Sequence, residues 1–327
     1  MVGGAVGWPG ALARPAVAGG AKDRSGLGLP VVGAESPAGR QPAGRVSRAD
    51  ARAAALLPGV STARGVPPSL ADSLPRDIAA AAHEIGPLEE LIEEARRLGF
   101  SLPGTLESAI DKRRREYLAG RISGGYALRQ LLGPDASEGE IAGDDDDVPR
   151  WPEGVVGSIS HGAGFGFAAV AAADRYRGLG VDVERVVSTE QAGRLGARVL
   201  NEREMSLRQG SAGVLSEAEM FTLVFSAKES AYKALFPRYR QVLGFSDVEL
   251  ERREAGDGDA GCGELRLRTR VAREGGAVRR LVGWYALTGD QADESTGGAS
   301  RVWAVVTIPS RDDRGRAFPE FSARRGP

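Results

Sequence analysis

LGVDVERVV, residues 179–187, is the stretch on which the fold turns. Its period of two marks a β-strand: Leu179, Val181 and Val183 share one face, while Gly180, Asp182 and Glu184 share the other. One face is apolar enough to bury. The other carries a glycine and two carboxylates standing about 6–7 Å apart along the backbone, a spacing that suits two oxygen ligands on one hard cation. An isolated D-x-E is more often a solvated strand face, so the next long element decides between the two readings.

That element is SEAEMFTLVFSAKESAYKALF, residues 216–236. Ser216 and Glu219 have the spacing of a capping box, which predicts a helix starting there and running to Phe236, with Pro237 ending it. At 100° per residue, Phe221, Val224, Phe225, Ala231, Tyr232, Leu235 and Phe236 fill one broad apolar arc. Lys228 falls inside that arc, where a charge is not expected. Glu229 sits at its edge, and Lys233 lies one turn further on. A surface Glu229–Lys233 pair would contribute a few tenths of a kcal/mol, but it leaves Lys228 unexplained. Thr222, Ser226 and Ser230 form a stripe of small polar residues that would let a ligand approach the helix backbone. Two carboxylates from a strand and one from a helix, flanked by lysines, match the chemistry of a metal-bound diphosphate.

Working outward, LEELIEEARRL (88–98) is an amphipathic helix, and a second helix is predicted over roughly 107–132 with Leu118, Ile122 and Tyr126 as its apolar line. This second helix begins with the basic run Lys112, Arg113, Arg114 and Arg115. The acidic run at 144–147 lacks the ligand spacing of a calcium loop and reads as a solvated loop. Strands are predicted at 155–160 and 165–173, on either side of a glycine-rich bend. After the 216–236 helix, Leu265, Leu267, Thr269 and Val271 alternate with arginines, and VWAVVTI (302–308) reads as a buried strand. Helix-then-strands therefore occurs twice. The expectation is an α+β fold of two pseudo-symmetric halves, each a helix packed on a small, mainly antiparallel sheet. The expected divisions are a disordered Ala/Gly/Pro-rich extension over 1–70, an N-terminal half over 71–174, a C-terminal half with the metal site over 175–310, and a loose tail over 311–327.

Composition narrows the function. A net charge of −1 gives no bulk field for nucleic acid or a membrane surface. No apolar run approaches the ~20 residues of a membrane helix, and the N-terminus does not read as a signal peptide. A single cysteine, Cys262, excludes an internal disulfide framework. The expected setting is cytoplasmic.

Four segments in this order resemble the 4′-phosphopantetheinyl transferase superfamily, of the surfactin type and its enterobactin synthase component D-like branch. They are KRRREYLAGR (112–121), WPEGVVGSISH (151–161), LGVDVE (179–184) and FSAKESAYK (225–233), with GFSDVEL (244–250) a weaker fifth. The pairing of G-V-D-V-E with F-S-x-K-E-S-x-x-K is specific. The resemblance implies that Asp182, Glu184 and Glu229 bind Mg2+ with the diphosphate of coenzyme A. It implies that a serine of an apo acyl or peptidyl carrier protein attacks the phosphate bearing pantetheine, and that adenosine 3′,5′-bisphosphate leaves. Glu229 would act as base, and Lys233 with Lys228 would neutralise the diphosphate. Ser160 and His161 would contact the nucleotide phosphates, with Arg121 a further phosphate anchor. A monomer is implied, because two halves in one chain replace a subunit interface. One departure stands out: Gly125 occupies the place where relatives carry a second arginine. That departure motivates the alternative of an inactive transferase-like protein that binds carriers or coenzyme A.

Overall fold

The computed structural model of the chain describes residues 63–134, 141–143, 146–210, 215–256, 259–271, 277–289 and 301–310, all within the unit Arg45–Pro327. The extension expected over 1–70 therefore lies outside the described residues up to 62, and the tail expected over 311–327 lies outside them entirely. Ordered elements start earlier than expected, with strand β1 (Ala63–Arg64) and the short helix α1 (Pro68–Ser73).

The first half continues with β2 (Ile78–Glu84), α2 (Leu88–Arg97), α3 (Asp111–Leu132), β3 (Val155–Gly162) and β4 (Phe165–Ala172). Its sheet has the order β1-β2-β4-β3, antiparallel except for the short β1–β2 pair. The second half contains β5 (Tyr176–Arg185), α4 (Thr189–Val199), α5 (Glu202–Gly210), α6 (Glu217–Tyr239), β6 (Val248–Gly256), β7 (Asp259–Val271), β8 (Ala277–Thr288) and β9 (Arg301–Pro309). Its strands run in the order β5-β9-β8-β7-β6, all antiparallel. The α+β fold with two antiparallel sheets and their helices is as the alternation patterns imply.

The two sheets face each other across one core. Ile78, Ala80, Phe167, Ala169 and Ala171 of the first meet Leu179, Val181, Val183, Trp303 and Val305 of the second. Trp303 is the aromatic joint, edge-on to Phe165 and Phe167 with ring centroids 5.2 and 5.3 Å away. A second core lies on the other face of the first sheet, where Ala79, Ala81 and Val170 pack under Leu118, Ala119, Ile122 and Leu128 of α3. The layers are thus α3, first sheet, second sheet, α6. Among the described residues, no helix is long and apolar enough to cross a membrane.

Glycines set how closely the outer helices lie. A Cβ at Gly180 of β5 would stand 1.9 Å from the Ser230 carbonyl oxygen of α6, so the strand and helix backbones are in direct contact there. Gly125 of α3 faces Phe100, whose ring would lie 2.5 Å from a Cβ at that position. The residue that looked like a lost phosphate grip is a packing position, and an arginine has no room in it.

Two expectations about boundaries are corrected. Helix α6 does not stop before Pro237. It runs to Tyr239 and ends where Arg240 turns into the left-handed region at φ 47°, with its N–H bonded to the Phe236 carbonyl. Proline in a last turn removes a single helical bond. Helix α3 begins at Asp111 rather than near 107, because Ile110 before it is extended at ψ 148°. Strand β2 and helices α4 and α5 were not expected at all.

Candidate active site

The site forms where β3, β5 and α6 converge. The period of β5 puts Val181 and Val183 into the inter-sheet core and turns Asp182 and Glu184 toward α6. The close approach at Gly180 then brings two turns of α6 against them. Asp182, 3% exposed, is the hub. Its Oδ1 accepts from Lys233 Nζ at 2.7 Å and from Ser160 Oγ at 3.0 Å, and its Oδ2 accepts from Ser226 Oγ at 3.0 Å. Lys233 also donates to Ser160 Oγ at 2.8 Å, which closes a triangle of strand, strand and helix.

Glu229 and Glu184 complete the cluster electrostatically. Burial, then the nearby Asp182 carboxylate, pushes Glu229 up to about 8, and Lys233 only partly offsets this. Burial followed by Asp182 and Glu229 pushes Glu184 up to about 8 as well. Glu229 Oε1 is buried with no hydrogen-bond partner among the described residues. A buried, unpartnered carboxylate oxygen carries a large desolvation penalty unless a cation or donor meets it. For Lys233, burial alone would lower the ammonium, but Asp182, Glu229 and Glu184 together outweigh it and hold it above its ordinary value.

Hard oxygen donors that resist ionisation for want of positive charge fit a magnesium ion. As they stand they are not a closed cage: among the described residues, no three His, Cys, Asp or Glu side chains are gathered so as to hold a metal. At Asp182, moreover, Oδ1 is already engaged by both Lys233 and Ser160.

Other expected site residues fall in different places. His161 ends β3 beside this cluster, with Nδ1 3.9 Å from Glu116 Oε2 of α3. Burial lowers its pKa; Glu116 opposes this, while Lys233 and Arg113 add to it. Ser160 was expected against nucleotide phosphates, and its hydroxyl instead lies between Asp182 and Lys233. Arg121 is 9% exposed, with its guanidinium over the ring of Tyr117 at 4.7 Å and its Nε unpartnered among the described residues.

Lys228 is a correction. It was expected to neutralise the diphosphate, but its side chain is wholly enclosed on another side of α6. Its Nζ donates to Glu204 Oε2 at 2.7 Å, to the Val199 carbonyl at 2.7 Å and to the Phe245 carbonyl at 2.9 Å, which uses all three of its hydrogens. Glu204 in turn accepts from the Asn201 and Leu250 backbone N–H groups. The pair ties α4, α5 and the start of β6 to α6. The small polar stripe is corrected too. Thr222 Oγ1 accepts from Val187 N, Ser226 holds Asp182, and Ser230 donates to Ala304 O of β9. These residues stitch the helix to the sheet and leave no slot for a ligand.

Sequence reasoning passed over Ser226 as a partner of Asp182, Glu116 as a neighbour of His161, and Glu204. For Glu204 a signal existed: a buried lysine requires a buried acid.

A two-sheet α+β fold whose strand-borne aspartate faces a helix-borne glutamate and lysine is the frame in which known proteins can be compared. The chain belongs to the 4′-phosphopantetheinyl transferase superfamily. The profile of that superfamily matches residues 178–275, and that of the 4′-phosphopantetheinyl transferase N-terminal domain matches 103–171. Enterobactin synthase component D of Salmonella typhi is 42% identical over 145 residues, which is 44% of this chain and 57% of the relative. The 4′-phosphopantetheinyl transferase Npt of Nocardia iowensis is 33% identical over 159 residues, 48% of this chain and 68% of the relative. The transferase Svp of Streptomyces mobaraensis is 35% identical over 176 residues, 54% and 67%. The chain thus spans somewhat over half the length of the enterobactin synthase relatives it matches.

Proposed function

We propose that the protein transfers 4′-phosphopantetheine from coenzyme A to a serine of an apo acyl or peptidyl carrier protein, with Mg2+ held by Asp182, Glu184 and Glu229, and releases adenosine 3′,5′-bisphosphate. The observation that carries this reading is the bare, buried Glu229 carboxylate one helical turn from Lys233 and facing Asp182. Magnesium, when bound, would polarise the diphosphate oxygens as a Lewis acid. Every other role falls to the chain itself. Glu229 Oε1, which has no hydrogen-bond partner among the described residues, is placed to take the proton of the attacking hydroxyl once a neighbouring cation holds the carboxylate ionised. A new bond forms between serine oxygen and phosphorus as the phosphorus–oxygen bond to the nucleotide breaks. Lys233, held charged by its carboxylate neighbours, meets the negative charge that grows on the departing phosphate. His161 and Arg121 line the approach to the nucleotide end, and packing of α3 against β3 and β4 fixes both. Gly125 lies in the core, so its lack of an arginine no longer speaks for an inactive protein.

The test is incubation of the protein with coenzyme A, magnesium and a panel of apo carrier proteins. A carrier mass gain of one phosphopantetheine is the expected result. No gain on any carrier would refute the reading, and free phosphopantetheine formed without a carrier would point to a diphosphate hydrolase.

A further inference from the structure

Lys233 is placed where the proposed cation would need to be. Its ammonium lies 2.7 Å from Asp182 Oδ1 and is fixed there by Ser160 Oγ at 2.8 Å. Ser160 itself donates to the same Oδ1 at 3.0 Å, so that oxygen has no lone pair left. Ser226 takes one of the two sites on Oδ2. The arrangement is lopsided: Asp182 has three donors, while Glu229 Oε1, one turn from Lys233 on the same helix, has none. A lysine serving only to balance charge would do as well between the two. Lys233 is also a quarter exposed at its side chain, so it can swing on its four-carbon stem.

We propose that Lys233 is a built-in counter-ion that keeps a divalent cation off Asp182 Oδ1 until a diphosphate draws its ammonium away, so that metal and coenzyme A load cooperatively. The inference rests on the assignment of Asp182 as a metal ligand and deepens it. Two like charges cannot share one carboxylate oxygen cheaply in a partly buried site. An incoming diphosphate offers the ammonium a stronger, doubly charged partner and frees Oδ1 in the same step. By linkage, whatever factor coenzyme A adds to metal affinity, the metal must add to coenzyme A affinity. Among the described residues, Asp182, Glu229 and Glu184 are the charged groups that act most strongly on the ammonium, with Ser160 its other hydrogen-bond partner.

The test is titration of the full chain with Mn2+ as a magnesium stand-in, counted by the signal of the free ion, with and without saturating coenzyme A. For the native protein, coenzyme A should tighten Mn2+ by about tenfold or more. Lys233→Met should bind Mn2+ about tenfold or more tightly without coenzyme A, and the gain on adding coenzyme A should shrink. A Met variant that binds the bare ion no more tightly overturns the proposal. If that variant does not fold, Ser160→Ala removes one of the ammonium's two anchors. It should tighten Mn2+ by a few-fold, and no change there overturns the proposal equally. The transfer assay on the native protein separates the two ideas. Carrier modification with no tightening in Lys233→Met sinks only the counter-ion role. Tightening without carrier modification supports that role and sinks the transferase reading.

Discussion

Replacing Glu229 with glutamine should abolish transfer while making the metal-free protein more stable, and by more at high pH. Glu229 is 5% exposed, and its Oε1 meets no donor among the described residues. Burial and the Asp182 carboxylate move its titration from 4.5 to about 8. A folded-state value above the unfolded one means that the native fold prefers the protonated acid. Its stability is whole below about 4.5 and declines as pH rises toward 8. At 1.36 kcal/mol per pH unit, the displacement corresponds to at most about 5 kcal/mol. Water entry and relaxation around the charge shrink such figures, so about 1–3 kcal/mol is expected at pH 8.5.

Glutamine keeps the shape and removes the charge. Urea unfolding in chelator at pH 6 and pH 8.5 should show the variant ahead of the native protein at both, with the lead widening by about 1–2 kcal/mol at the higher pH. Glu184 also titrates near 8, and losing its charged neighbour acts in the same direction. A variant less stable than the native protein at pH 8.5, or a lead independent of pH, would refute the account of Glu229 as a buried charge awaiting a cation.

Three further outcomes follow from the packing. Gly125→Arg should lower stability by about 1–3 kcal/mol and leave the KM for coenzyme A unimproved, because the new side chain meets the Phe100 ring; a lowered KM would contradict the core placement. Lys228→Met should destabilise by about 3–5 kcal/mol by leaving Glu204 charged and enclosed, and adding Glu204→Gln should recover part of the loss in denaturant melts; equal stability of single and double variants would deny the pair. With only two histidines in the chain, His161 can be followed by NMR. It should titrate below its ordinary value, and Glu116→Gln should move it lower still, since Glu116 is the largest of the influences that raise it; no movement would separate the two side chains.

The strand and helix that carry the candidate site were legible because each obeys its own period. LGVDVE alternates without a break, and Ser216–Glu219 marks the start of α6 through a capping box that the structure forms on both sides. β2 was illegible for the opposite reason. IAAAAHE has no alternation, because both of its faces are buried, one between the sheets and one under α3. An alanine run reads as helix or linker until the two layers that cover it are known. α4 carried a legible cap in Ser188 and Gln191, closed in the structure as a capping box, but its apolar face is thin and no strand pattern framed it. Lys228 and the Thr222–Ser226–Ser230 stripe misled for a common reason. A helical wheel sorts residues into an inside and an outside, and α6 has no outside over most of its length.

That burial on every side matters for how the site works. β5 and β9 cover one side of α6, and α4, α5 and the start of β6 cover the other, with the Lys228–Glu204 pair as the pin on the second side. Glu229 follows Lys228 directly, so the proposed metal ligand is flanked by a residue fixed in the core by three hydrogen bonds. Ser226 and Ser230 fix the opposite face to Asp182 and to β9. A carboxylate held this way is kept from relaxing outward to recover water, which is why its charge stays unfavourable. Lys233, a turn later, is the exception, with part of its side chain in solvent and a long stem. The candidate site thus pairs tightly enclosed carboxylates with a partly exposed lysine, and on the proposed reading binding of a diphosphate would both reorganise these charges and complete the shell around the metal.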